Sequence, residues 1–179
     1  MQAALREMVD RPFLQSQRYA DQQKRAKLEG AHPDIVEFVR VLPKRMAKHG
    51  VPMFASEVWR SDERQNQLFE QGFSKARAGQ GPHPFGCAAD LVHGVRGWNL
   101  NRDQWRLVGH IGQELVTQKG LNLVWGGNWP DFYDPAHWQV ADWKVQAADF
   151  PFPRIEKWER NWKKRLEAAL AQQATLAAK

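Results

Sequence analysis

Apolar residues along the chain fall into two kinds of spacing. Between Pro33-Asp34 and Gly50 they recur every three or four residues, which predicts a helix that Pro43 should kink or divide. Residues 61–72, with Ser61 as N-cap, and residues 103–119 also have helical patterns. Short apolar runs of strand length occupy 51–59, 87–92, 121–125 and 137–140. Because helices and short strands mix irregularly, the pattern predicts an α+β fold.

The two ends of the chain differ from this central part. Residues 1–30 are polar and rich in Gln, Arg and Lys, which fits a helical arm that either docks on the body or stays loose. Helix-forming residues return at Arg154 and continue into an Ala- and Gln-rich tail. We therefore expect an N-terminal helical arm over 1–30, a central domain over 31–150 and a C-terminal helical extension over 151–179.

Composition and charge exclude some classes of protein. The 42% of hydrophobic residues and 26% of charged residues are typical of a globular chain, and no apolar run approaches the ~20 residues of a transmembrane helix. The N-terminus lacks the apolar core of a secretory signal, so we expect synthesis in the cytoplasm. A net charge of +6 favours anionic partners, but no nucleic-acid-binding motif is present, and no nucleic acid is expected. We expect a monomer.

The single cysteine excludes an internal disulfide. Cys87 lies between Gly86 and Ala88, which predicts a small buried side chain, although a metal ligand or a nucleophile is an open alternative. His32, His49 and His110 are expected to be surface, helix-end or core residues. His93 is a candidate support for a neighbouring metal ligand, since it follows Asp90 by three residues.

The strongest chemical feature is an H-x-x-G-x-A-x-D pattern that runs from His83 to Asp90. Proline and glycine inside it exclude an α-helix, so the chain should turn at Gly86 and continue into a strand. A loop histidine can then lie beside a strand aspartate. Ala88 shares a strand face with Asp90 and leaves room beside it.

A second pattern joins W-G-G-N-W at residues 125–129 to D-P-A-H at 134–137. The double glycine permits a tight turn after a strand, and Pro135 favours an extended Asp134. Asp134 and His137 can thus point into one site with different roles. A third pattern places Arg60 where a strand becomes a helix, from which it could bind a substrate carboxylate or a developing oxyanion.

Histidine and aspartate in this combination are typical ligands of the zinc ion in hydrolases. Such zinc usually has three protein ligands from His, Asp and Glu and keeps a fourth position for water. The ion lowers the pKa of that water and polarises a carbonyl, while a carboxylate that is not a ligand serves as general base. Two histidines, one aspartate and one spare aspartate can fill these roles.

In this order, the three patterns resemble the zinc D-Ala-D-Ala carboxypeptidase / L-Ala-D-Glu endopeptidase family, which includes VanY-like enzymes and phage endolysins. The resemblance implies a Hedgehog/DD-peptidase fold, with a small antiparallel sheet flanked by helices. It implies zinc ligands at His83, Asp90 and His137. It also implies Asp134 as catalytic base and Arg60 as a substrate or transition-state contact.

The W-G-G-x-W block most resembles the L-alanyl-D-glutamate endopeptidase branch, which implies peptidoglycan stem peptides as substrates. Two positions depart from the family pattern: Gly81 stands where Ser is frequent, and Asn128 where Asp is usual. The alternatives are a D-Ala-D-Ala carboxypeptidase, a non-catalytic zinc module of the same fold and a basic nucleic-acid-binding protein. A wall enzyme without a secretory signal would be of phage-endolysin type, released through a holin pore or carried on a phage particle.

Overall fold

The structure is a computed structural model that describes residues 2–148. Helices and a small antiparallel sheet make up the described part, so the predicted α+β class is confirmed. The predicted C-terminal extension lies outside the described residues. The helices are α1 (Gln2–Met8), α2 (Arg11–Leu14), α3 (Gln17–Gln22), α4 (Pro33–Lys48), α5 (Asp62–Glu70), α6 (Arg102–Lys119) and α7 (Trp143–Ala148). The strands are β1 (Met53–Glu57), β2 (Ala88–His93), β3 (Leu123–Trp125) and β4 (His137–Val140).

The four strands lie in the order β1-β2-β4-β3, and each neighbouring pair is antiparallel. Central strands β2 and β4 pair Ala89 with Trp138 and Asp90 with His137. On its other side, β2 pairs with β1 through a register shift between Ala55 and Glu57. The shift places Glu57 opposite Asp90, so polar residues of three strands meet at one end of the sheet.

One sheet face packs against the long helices. The Trp138 ring lies 4.4 Å from the Phe38 ring of α4, measured between centroids. Gly112 of α6 permits this packing, because a Cβ atom there would approach the Trp138 ring to 2.4 Å. Side chains alternate across a strand, so His137 and Asp90 project from the opposite face. The buried core thus supports the sheet from the side opposite to the polar face.

Helix α4 continues through Pro43 as one element, so the proline does not divide this helix, and of the two predicted effects only the kink stays a prediction. Proline removes only one hydrogen bond of the helix ladder. Leu42, Pro43 and Met46 are all buried, and their packing favours the helical path on both sides of the proline. Tertiary contacts therefore outweigh the local preference of proline to end a helix.

The first three helices pack on the sheet and on α6. Met8 is fully buried, and His93 of β2 lies 2.9 Å from the Met8 carbonyl oxygen through Nε2. From α3, Gln22 donates to the Gly94 carbonyl oxygen, and Tyr19 donates to that of Met53. Residues 2–22 thus form a docked layer, while the division of the chain into three parts stays a prediction.

Two further observations complete the fold. Helix α7 follows β4 directly and was not predicted from the sequence. Among residues 2–148, every helix is too short or too polar to cross a membrane.

Candidate metal centre

The pairing of β2 with β4 places Asp90 directly opposite His137. Asp90 Oδ1 lies 3.0 Å from His137 Nδ1. Both side chains are largely buried on the face opposite the Trp138 core. An antiparallel pair of central strands is a stiff support, so the separation of these two groups is set by the sheet.

His83 reaches the same place from the loop before β2. Residues His83–Phe85 form one 3-10 turn that ends at Gly86, whose φ of 64° is in the left-handed region. A Cβ at Gly86 would lie 2.6 Å from the Trp59 ring, so glycine allows both the turn and the close packing. His83 Nδ1 lies 2.9 Å from the Val58 carbonyl oxygen and donates to it. Its Nε2 is then directed to Asp90 Oδ2, 3.3 Å away.

These three side chains fit a zinc ion. One potential ligand atom from each of His83, Asp90 and His137 lies within 4.8 Å of the others. His83 Nε2 is buried without a hydrogen-bond partner, although it is close to the Asp90 carboxylate. A nitrogen lone pair of this kind, next to a carboxylate and a second imidazole, offers the nitrogen and oxygen ligands that zinc prefers. The sequence pattern and the geometry therefore select the same three residues.

The charges of the cluster are strongly coupled. Burial raises the pKa of Asp90, but the charge of His83 and the hydrogen bond from His137 outweigh burial and hold this pKa well below its usual range. Burial lowers the pKa of His137, yet the hydrogen bond and the charge of Asp90 raise it above its usual value. Asp90 is thus ionised, and its negative charge favours a cation at this position.

Asp134 lies beside the cluster but outside the ligand set. Its backbone N–H donates to the Gly126 carbonyl oxygen at 3.2 Å, and its own carbonyl oxygen accepts from the His137 N–H at 3.2 Å. A Cβ at Gly126 would come within 2.5 Å of that carbonyl oxygen, which explains the need for glycine in this turn. Burial and the negative charge of Asp90 raise the pKa of Asp134, and the nearby cationic groups only partly offset them. A raised pKa suits a carboxylate that takes up and releases a proton.

Arg60 contacts the cluster through Asp90. Its Nη2 lies 3.2 Å from Asp90 Oδ2 and also binds Glu57, which accepts from Nε at 2.8 Å as well. Its Nη1 donates to Gln65 Oε1 at 3.0 Å. These bonds use four of the roughly five N–H donors of a guanidinium. The arginine thus holds the carboxylate of Asp90 in place.

Trp129 forms one wall of the site. Its ring lies 5.3 Å from the His137 ring and is stacked on Phe132 at 5.9 Å between centroids. Trp129 also borders a cavity of about 420 Å³ between β3 and the end of α6. Trp125 borders the same cavity but is itself buried as part of the core.

The remaining candidates lie elsewhere. His93 accepts backbone N–H groups from Val95 and Arg96 through Nδ1, so it fastens the end of β2 rather than supporting a ligand. Cys87 is buried, and burial together with the charge of Asp142 raises its pKa to about 12, which excludes a reactive thiolate. His32 caps α4 through Nδ1.

Sequence reasoning missed three supporting side chains: Glu57, Gln65 and Gln139. Glu57 and Gln65 bind Arg60, and Gln139 Oε1 lies 3.1 Å from His137 Nε2. The position of Gln139 two residues after a candidate ligand on a strand is a usable signal, because the two share a face. For Glu57, the pairing with Asp90 depends on the register shift, which the sequence does not reveal.

Comparisons with known proteins agree with this geometry. Residues 74–140 match a family model described as D-alanyl-D-alanine carboxypeptidase. The predicted family resemblance is confirmed. The matched segment contains His83, Asp90, Asp134 and His137, whereas Arg60 precedes it.

Two relatives of this chain are named for the same peptidase activity. Peptidoglycan L-alanyl-D-glutamate endopeptidase CwlK of Bacillus subtilis (strain 168) is 28% identical over an alignment of 121 residues, and the match covers 61% of this chain and 72% of CwlK. The crystal structure of the Serratia marcescens L-Ala D-Glu endopeptidase ChiX is similar with a TM-score of 0.53 and 26% identity, over 69% of this chain and 86% of ChiX. The family model and these relatives confirm the expectation of a metallopeptidase hydrolase.

Proposed function

We propose that the chain is a zinc-dependent peptidoglycan peptidase that cleaves the L-alanyl-D-glutamate bond of wall stem peptides. The convergence of His83, Asp90 and His137 within 4.8 Å, with Asp134 beside them, carries this proposal. The similarity to CwlK and ChiX supports the choice of bond, since both relatives are named for it.

In this proposal, His83 Nε2, an Asp90 oxygen and His137 Nδ1 hold the metal. Zinc bound there would supply Lewis acidity, polarising the scissile carbonyl and lowering the pKa of a water molecule. Val58 and Gln139 take up the remaining ring N–H groups of the two histidines. These contacts orient both rings and leave His83 Nε2 and His137 Nδ1 facing the metal position.

Asp134 acts as the general base. It takes the proton of the attacking water and later passes it to the leaving amine. It lies one short turn before His137, which supports a role beside the metal rather than as a ligand. Burial beside Asp90 keeps its pKa raised, so the carboxyl can hold a proton between the two steps.

Arg60 has two roles in this proposal. Bonds to Glu57 and Gln65 fix the guanidinium, which in turn fixes Asp90. The donor that remains on Nη1 can reach a substrate carboxylate or the developing oxyanion. A net charge of +6 on the whole chain also favours the anionic wall polymer.

The test is digestion of purified peptidoglycan with zinc-loaded protein, with and without a chelator. We expect a new N-terminal D-Glu by mass spectrometry and loss of cleavage on chelation. Free D-Ala as the only product would instead establish the carboxypeptidase, which the description of the matched family model favours as the second candidate.

The role of Asp134 has a separate test. Asp134→Ala should retain zinc, because no ligand is removed, but lose at least about 100-fold in rate, the usual contribution of a general base. The matched control is Asp131→Ala, which removes an exposed carboxylate from the same loop and should cut normally. Normal cleavage by Asp134→Ala would refute the base assignment, and zinc binding without any hydrolysis by the wild type would favour a non-catalytic module.

That this chain is a peptidase of the phage-endolysin type stays a prediction. It rests on the resemblance of the W-G-G-x-W block, while the two relatives compared above come from bacteria. Expression inside bacteria with and without a holin tests it: lysis only in the presence of the holin is the expected result.

A further inference from the structure

Gln139 contacts a candidate metal ligand from the side away from the metal. It follows His137 by two residues on β4, so both side chains project from the same sheet face. Gln139 Oε1 lies 3.1 Å from His137 Nε2. Gln139 is paired with Ala88 of β2 on one side and with Val124 of β3 on the other, so its backbone position is set by the sheet.

The two ring nitrogens of His137 have different neighbours. Nδ1 lies 3.0 Å from Asp90 Oδ1, within the ligand cluster, whereas Nε2 faces Gln139. A neutral imidazole has one N–H and one lone pair, and only the lone pair can bind a metal. If the proton were on Nδ1, it would point to Asp90 and block coordination. The chain therefore needs a group that keeps the proton on Nε2.

We propose that Gln139 is a positioning residue for the metal, whose amide oxygen accepts the Nε2 proton of His137 and keeps Nδ1 free as a ligand. The proposal rests on the zinc site of the proposed function. The same arrangement exists at His83, where the Val58 carbonyl oxygen accepts the proton of Nδ1 and leaves Nε2 for the metal. Each histidine thus has one hydrogen-bond acceptor for the ring nitrogen that does not bind the metal. The acceptor of His137 is a side chain, so a substitution can remove it.

The experiment measures the zinc dissociation constant by chelator competition for four proteins. Gln139→Leu removes the acceptor at similar volume and should weaken zinc binding by about 10–100-fold. Gln139→Glu retains an acceptor oxygen and should bind zinc at least as tightly as the wild type. The matched control is Gln113→Leu, the same change at an exposed position of α6, and it should bind like the wild type.

A second readout separates positioning from a general structural effect. Nitrogen-15 NMR of the zinc-loaded wild type should show the His137 proton on Nε2, with a shift of that signal in Gln139→Glu. Metal-free Gln139→Leu should melt within about 2–4 °C of the metal-free wild type, the shift expected for about 1 kcal/mol.

Equal zinc affinity of Gln139→Leu and wild type, or a proton on Nδ1 in the zinc-loaded protein, would overturn the inference. Failure of the proposed function looks different. In that case the wild type binds zinc and Gln139→Leu binds it more weakly, but neither cuts peptidoglycan.

Discussion

At the scale of single residues, two glycines help to set the position of the site. Gly112 of α6 lies against Trp138, and Trp138 is the neighbour of His137 on β4. Gly126 likewise leaves room for the carbonyl oxygen of Asp134. The two glycines therefore help to decide where β4 and Asp134 lie, although neither contributes a functional group.

Gly112→Ala tests this effect. In an open helix the change would stabilise by about 1 kcal/mol, but a Cβ lying 2.4 Å from the Trp138 ring forces the core to shift. We expect a net loss of about 1–3 kcal/mol, together with weaker zinc binding, as measured by denaturant unfolding and chelator competition.

Gly81→Ala is the control, because its Cβ would lie at an ordinary 3.4 Å from Ala76 Cβ. It should unfold like the wild type. Stability of Gly112→Ala equal to or above that of the wild type would show that Trp138 moves aside at no cost.

At the scale of elements, one hydrogen bond joins the first helix to the central sheet. His93 donates through Nε2 to the Met8 carbonyl oxygen and accepts two backbone N–H groups through Nδ1, so the folded chain requires the neutral ring. Burial lowers the pKa of His93, an effect that Arg96 enhances while the Met8 carbonyl and Asp10 oppose it. The neutral ring of His93 thus links the end of β2 to the end of α1.

The sign of the pH effect follows from this lowered pKa. As the pH falls, an unfolded histidine takes up its proton near pH 6.5, whereas folded His93 does so only at a lower pH. The contribution of His93 to the free energy of unfolding is therefore fully present above about pH 6.5. Below that pH it decreases, by at most about 1.4 kcal/mol per pH unit. His93→Gln cannot titrate and should lose less stability between pH 7 and pH 5 than the wild type.

The measurement compares the pH dependence of the melting temperature for the two proteins, both zinc-loaded. All other titrating groups, His137 included, are common to both and cancel in the difference. Parallel pH profiles would contradict this role of His93.

At the scale of the whole molecule, the candidate metal ligands join two strands and the loop before β2. Metal binding should therefore stabilise the entire folded chain. At a zinc concentration about 100 times the dissociation constant, the expected gain is about 2.7 kcal/mol, or a melting temperature higher by about 5–10 °C.

Calorimetry with zinc, with a chelator and with magnesium tests this. Magnesium prefers oxygen ligands in octahedral geometry and should have no effect on a site with two imidazoles. A melting temperature that is the same with zinc and with chelator would count against a metal centre formed by these residues.

The sequence by itself determined the class of the fold and identified the candidate residues of the site. The patterns H-x-x-G-x-A-x-D and D-P-A-H contain His83, Asp90, Asp134 and His137, and their resemblance to a zinc peptidase family implied the roles of these residues. Only the tertiary structure decided which groups support them, including Glu57, Gln65 and Gln139. It also decided that α4 passes unbroken through Pro43. Supporting contacts depend on strand register and on core packing between distant segments, and these are properties of the folded whole rather than of any local stretch.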